Sequence, residues 1–242
     1  MLAWSLEAAF DAAWPGMNSF TAGDWVCKSA PGVSRRANSA NPTGGHARLT
    51  EAVIERIEAI YAKLGQPAYV RLPSMLGGEA DALLERRGYS AEGHSLTLVG
   101  PVEAKPEATV ELAMLPSPEW LAAVNRMNGR EGDRALVFDE VLAAIDAPAA
   151  YAAVRREGRI VAGAYAAAAD GWLCLEAVVT DEAWRGQGLA GEAVSALIGW
   201  GAGQGARAMG LQVQADNVAA QRLYRRLGFE HELYRYHYRR GD

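Results

Sequence analysis

Apolar side chains along the chain follow two alternating spacings, which predicts a mixed α/β architecture. Over 51–64, Val53, Ile54, Ile57, Ile60, Tyr61 and Leu64 recur every three or four positions, while Glu51, Glu55, Glu58 and Lys63 fill the opposite side. That is an amphipathic helix. Leu189, Ala193, Leu197 and Trp200 make a comparable stripe. Glycines suited to ending a helix follow both stretches, at 65 and at 201–205. Short extended runs come next, at 68–72 and 209–213, and then two further helices that end in Gly88-Tyr89 and Gly228-Phe229. The run 172–180 is short, apolar and rich in β-branched residues, so it reads as a buried strand. Aromatic and polar residues alternate over 234–239, the pattern of a closing strand.

The two series match in order and spacing at an offset of about 140 positions. Chance similarity of alanine-rich helices is the alternative, but the repeated Gly-aromatic ending favours duplication of one α/β unit. A period this long is not that of a solenoid. Pro101 and Pro106 mark a linker, because proline removes a donor and restricts its neighbour. The expected organisation is a domain at 1–100, a linker at 101–109 and a second domain at 110–242.

Composition narrows the function. The net charge is −5 over 242 residues, with nine basic and ten acidic side chains in the first hundred, so a polyanion-binding module is not expected. The aromatic and basic run 234–239 therefore reads as sheet and not as a nucleic-acid surface. Cys27 and Cys174 are too few for a disulfide framework, which predicts a reducing, cytoplasmic setting. Glu7 and Asp11 interrupt the first apolar stretch, so neither a signal peptide nor a membrane span is expected. The four histidines, at 46, 94, 231 and 237, form no ligand-like cluster, and no metal is predicted.

The densest chemical signal follows the 172–180 strand. Arg185-Gly186-Gln187-Gly188 is a turn poor in side chains, leading into a helix that begins near Leu189. A helix start leaves several N–H groups unpaired, and glycines let a ligand come close to them. Together with the positive end of the helix dipole and Arg185, these donors suit a diphosphate. An ordinary strand-to-helix loop is the alternative. Neither the triphosphate loop nor the dinucleotide fingerprint is present.

The run Arg185-Gly186-Gln187-Gly188-Leu189-Ala190 resembles the hallmark of the GNAT superfamily of N-acetyltransferases, Arg/Gln-x-x-Gly-x-Gly/Ala. The stretch 217–229, from Asn217 through Tyr224 to Gly228 and Phe229, is similar to the family's second signature. The resemblance implies two GNAT-like domains, each a mixed, mostly antiparallel sheet flanked by helices, the second splayed to admit acetyl-CoA. It implies that the backbone of Val178, Val179 and Thr180 pairs with the pantetheine arm. Arg185, Gly186, Gln187, Gly188, Leu189, Ala190 and Gly191 would hold the diphosphate, with Asn217 near the pantetheine. Tyr224 would be the acid that protonates the departing thiolate, with a core aromatic as the alternative. Glu176 matches the position where some members carry the base that deprotonates the amine, with a salt-bridged glutamate as the alternative.

At the same offset the first half shows Gly44-Gly45-His46-Ala47-Arg48-Leu49 in place of the loop and Leu84 in place of Tyr224. A non-catalytic scaffold is expected there, with Arg35 and Asn38 as candidates for holding the acceptor. Both lie in the polar run Arg35-Arg36-Ala37-Asn38-Ser39, expected as the first half's equivalent of the strand that carries Glu176, and an interdomain salt bridge or a solvated edge is the other reading of that run. The implied reaction is acetyl transfer to a primary amine, on a small molecule or a protein, in a ternary complex. A regulatory acyl-CoA binder without turnover, or a longer-acyl or aminoacyl transferase, is the rival.

Overall fold

The computed structural model describes residues 1–103 and 110–241. The N-terminal half runs α1 (Leu2–Ala13), β1 (Asn18–Ala22), β2 (Trp25–Ser29), β3 (Ala40–Pro42), α2 (Glu51–Lys63), β4 (Ala68–Pro73), α3 (Glu79–Arg86) and β5 (Ser90–Pro101). The C-terminal half runs β6 (Glu111–Ala113), α4 (Pro118–Met127), α5 (Asp133–Ala143), β7 (Ala149–Arg156), β8 (Arg159–Ala169) and β9 (Trp172–Thr180). It closes with α6 (Leu189–Gly203), β10 (Ala208–Gln214), α7 (Val218–Arg226) and β11 (His231–Gly241).

Local chemistry explains the boundaries. Thr50 caps α2 by accepting from the Val53 amide, Lys63 lies in its last turn, and Gly65 leaves it at a φ of 65°. Ser117 accepts from the Trp120 amide at 3.1 Å and Pro118 opens α4. β8 is buried from Ile160 to Ala167 because both of its faces are covered, by α6 on one side and by α1 and α4 on the other. Small residues allow the close approach of α6: a side chain at Gly201 would meet Leu173 at 2.6 Å.

Among the described residues, eleven strands form one sheet in the order β1-β2-β3-β4-β11-β5-β10-β9-β8-β7-β6. The pairing is mostly antiparallel, with β3 beside β4 and β9 beside β10 parallel. The sheet does not break between the halves. β11 lies between β4 and β5, and β5 lies between β11 and β10, so each half's last strand inserts beside the other half's strands. Pro101, expected in the linker, ends β5, and Val102 donates to the Arg207 carbonyl at 3.1 Å. Residues 104–109 of that linker lie outside the described residues.

Gly100 sits where β5 meets the turn after α7. A Cβ there would stand 1.8 Å from the Gly228 carbonyl oxygen, which is backbone and cannot swing away. We expect Gly100→Ala to destabilise the protein by about 3 kcal/mol, the upper range of overpacking, read as a lower urea midpoint with an unchanged slope.

Candidate active site

The site forms where β9 and β10 part. Their parallel pairing runs from Trp172↔Ala208 to Leu175↔Leu211 and stops there, while β9 continues to Thr180 along β8. At that point β9 carries an irregularity: its register against β8 shifts between Gly163 and Tyr165, and Ala177 holds a φ of 51°, costly for a residue with a side chain. Val178, Val179 and Thr180 follow, half-buried, with no β10 partner.

Glu176 is the last residue before this irregularity and is 7% exposed. Its Oε2 accepts from Arg36 Nη2 at 2.5 Å, while Oε1 is buried without a partner. Arg36 also donates from Nη1 to Gln212 Oε1 at 2.8 Å, an oxygen that Tyr236 OH approaches at 3.0 Å. The Arg36 guanidinium lies 5.0 Å over the Trp14 ring. Burial pushes the Glu176 carboxyl above the usual carboxylate range, and the pull of Arg36 offsets this only in part. Burial is the largest single influence on Arg36 and works against its charge, but the Glu176 charge and hydrogen bond, with smaller help from Tyr236 and Tyr165, together outweigh it and hold that guanidinium firmly protonated.

Arg35, named from the sequence, turns away. It pairs with Glu92 and its side chain is 41% exposed. Asn38 is occupied locally, donating to the Ala30 and Ser34 carbonyls at 2.6 and 2.8 Å and accepting from the Ala30 amide. The run expected to be a strand is instead a 3₁₀ turn, Arg35–Ala37, capped by Ser34 and closed by Asn38. That turn brings Arg36 to Glu176. The salt bridge between the halves, the alternative reading of this run, is therefore present, made by Arg36 and not by Arg35.

Tyr224 lies on α7 at 9% exposure, with its ring edge-on to Phe229 at 6.0 Å. Burial, reinforced by the Glu176 charge, pushes its phenol up to about 12. Asn217 caps α7, accepting from the Ala220 amide at 3.1 Å. The 185–191 turn takes the expected form. Gly186 and Gly188 hold φ of 78° and 83°, and open space surrounds the position of a Cβ at each. α6 starts at Leu189 with Gly188 at its N-cap, so no side chain covers its first amides. Arg185 and Gln187 are exposed beside it, Leu189 is buried, and Ala190 and Gly191 are half-buried in the first turn. Glu192, in the same turn, would repel an anion, but Arg156 stands 3.1 Å from it and offsets its charge. Arg156 belongs to no motif in the sequence, and only the fold brings it to the loop.

The first half is built differently at the matching place. The Thr50 hydroxyl and the Glu51 carboxylate occupy the start of α2 with an acceptor and a negative charge. Leu84 is fully buried in the core under that half. Among the described residues no group of His, Cys, Asp and Glu side chains could hold a metal ion, and no helix is long and apolar enough to cross a membrane.

A sheet that parts beside an uncapped helix start is the architecture of GNAT N-acetyltransferases. A GCN5-related N-acetyltransferase from Kribbella flavida superposes with a TM-score of 0.71 at 22% identity, over 100% of this chain and 95% of that one. The tandem GNAT protein from the clavulanic acid biosynthesis pathway gives 0.65 at 13% identity, over 84% and 74%. The family can be stated more closely. The family model described as probable histone acetyltransferase Rv0428c, C-terminal, matches residues 4–238, and the chain belongs to that family. It is 29% identical to the probable histone acetyltransferase Rv0428c of Mycobacterium tuberculosis, over 93% of this chain and 70% of that protein. It is 24% identical to the uncharacterized N-acetyltransferase YobR of Bacillus subtilis, over 97% and 96%.

Proposed function

We propose that the protein transfers an acetyl group from acetyl-CoA to a primary amine, by direct attack in a ternary complex. The observation that carries this reading is the gap opened where β9 and β10 separate after Leu175 and Leu211, beside the bare start of α6. The residues present fit the donor. Arg185 and the backbone of 186–191 would hold its diphosphate, and the unpaired edge at Val178, Val179 and Thr180 would hold its pantetheine. Bound there, acetyl-CoA supplies an activated acetyl group.

Glu176 is the base in this reading. Its raised carboxyl and unpaired Oε1 suit it to take a proton from an ammonium, directly or through water. Tyr224 keeps its proton at any ordinary pH and offers it to a departing thiolate. We infer two copies of one unit, 1–100 and 110–242. The second carries the chemistry, and the first supplies Arg36 and the strands that complete the sheet. Cys27 and Cys174 are free and buried, in keeping with a reducing cytoplasm and with a mechanism that needs no thiol nucleophile.

Release of free thiol from acetyl-CoA in the presence of an amine panel tests the reading. A lysine peptide belongs in that panel, given the description of the mycobacterial relative. A protein that binds CoA yet releases no thiol with any amine is a regulatory binder instead. We further expect Gly188→Val to weaken CoA binding about tenfold, because a left-handed backbone costs a β-branched residue about 1–2 kcal/mol. Calorimetric titration with CoA reads this, and equal affinity would detach the turn from the ligand.

A further inference from the structure

A cavity of about 230 Å³ lies beneath α1, walled by β2, β3, β4 and β10. It is much larger than one water's share of ~30 Å³. It shares Arg36 and Gln212 with the cluster that holds Glu176.

Its wall is unbalanced in two ways. The first is charge. Lys28, Arg36 and Arg71 face it with side chains only 5%, 17% and 2% exposed. Two of their partners are also enclosed, Glu176 at 7% and Glu7 at 14%, but Asp11, which pairs with Lys28, is 64% exposed. Asp11 is solvated, so it offsets the Lys28 charge less well than the enclosed carboxylates offset the two arginines, and burial works against the Lys28 charge as well. The cavity side of Lys28 is where a further anion would be favoured. The second imbalance is in hydrogen bonding. Trp14 Nε1, Arg71 Nε and Gln212 Nε2 are buried without partners, and all three belong to residues lining this one cavity. Each is an N–H donor. Trp14 and Arg71 are 4% and 2% exposed, so bulk solvent does not reach them. Folded proteins rarely leave such groups unpaired. Ordered water would satisfy the donors but not the charge, whereas a carboxylate answers both. The complementary vacancy, the acceptor Glu176 Oε1, belongs to the carboxylate that Arg36 holds through Nη2.

We propose that this cavity binds the carboxylate of the acceptor, so that the substrate is a small amino acid or a related amine that carries a carboxylate. The catalytic consequence rests on the acetyltransferase reading above; the binding itself does not.

Matched pairs test the assignment: the common amino acids and the primary amide of each, which keeps the side chain and removes the anion. Because the amide's amine is less basic, kcat/KM is compared per unprotonated amine. In calorimetry without acetyl-CoA, at least one amino acid should bind at least tenfold more tightly than its amide. In thiol release, the same acid should show the same preference in kcat/KM. Trp14→Phe deletes one donor and keeps an aromatic ring at the position, and should cut the preference about fivefold. Ala8 lines the cavity but is exposed on α1, so Ala8→Trp should block the cavity without disturbing the core and abolish binding of the acid. Equal binding of acid and amide, binding that survives Ala8→Trp, or a lysine peptide blocked at both ends as the best acceptor would each overturn the proposal. The two readings fail separately. Carboxylate binding without thiol release supports the cavity and sinks the transferase. Thiol release that ignores the carboxylate sinks the cavity and supports the transferase.

Discussion

Replacing Tyr224 by phenylalanine is expected to lower kcat by roughly 10²–10³-fold, the scale of a lost general acid, while leaving the affinity for CoA and the melting temperature nearly unchanged. The substitution removes one oxygen. The ring keeps its place among the apolar residues between α6, α7 and the sheet, edge-on to Phe229. A phenol pushed up to about 12 holds its proton tightly, which at first argues against its giving that proton away. The causes of the shift resolve the difficulty. One is burial, which the reaction leaves in place; the other is the negative charge of Glu176. When Glu176 takes the amine's proton, that charge vanishes, and Tyr224 becomes a better donor at the moment a thiolate forms. The base and the acid are thereby coupled in sequence. Rapid-quench measurement of the acetyl-transfer step should therefore show the loss in the chemical step itself. An unchanged rate would leave Tyr224 as a packing residue.

What the sequence made legible was local. The 185–191 turn announces itself because left-handed glycines and a bare helix start are needed within a few consecutive residues, and the structure places Gly186 and Gly188 in that conformation. The 172–180 strand and the helix beginning at Leu189 were readable for the same reason. Contacts between distant parts of the chain were not. The aromatic alternation of 234–239 predicts a strand but says nothing of its neighbours, and β11 lies between two strands of the first half. A salt bridge between the halves was one open reading of the 35–39 run, but the arginine that makes it could not be named, because its partner lies 140 positions away, in a buried carboxylate that needs a cation. Side-chain pattern could not separate Arg36 from Arg35, because the 3₁₀ turn sends one arginine to Glu176 and the other to Glu92.

Glu176→Gln should show two separable losses. The first is activity. A primary amine with a pKa near ~10.4 is almost wholly protonated at neutral pH, so removing its base should slow kcat/KM by roughly 10²–10³-fold there. The deficit should shrink toward pH 10, where solvent deprotonates the amine unaided. In the wild type, the carboxyl must be ionised to act and its pKa is raised, so kcat/KM should climb with pH through a value above 4.5, a limb absent from the glutamine variant. The second loss is stability. Arg36 keeps its bond to Gln212 but loses its counter-charge while buried, a situation that costs about 3 kcal/mol. Because an inactive variant and a destabilised one are easily confused, the decisive protein is the double variant Arg36→Met with Glu176→Gln. With both charges gone, nothing ionic is left stranded, and the urea midpoint should return most of the way to wild type. Activity should not return, since the proton acceptor is still missing. Recovery of turnover in the double variant would mean that the stranded guanidinium, and not the lost base, had silenced the single one, and Glu176 would then be a structural partner for Arg36.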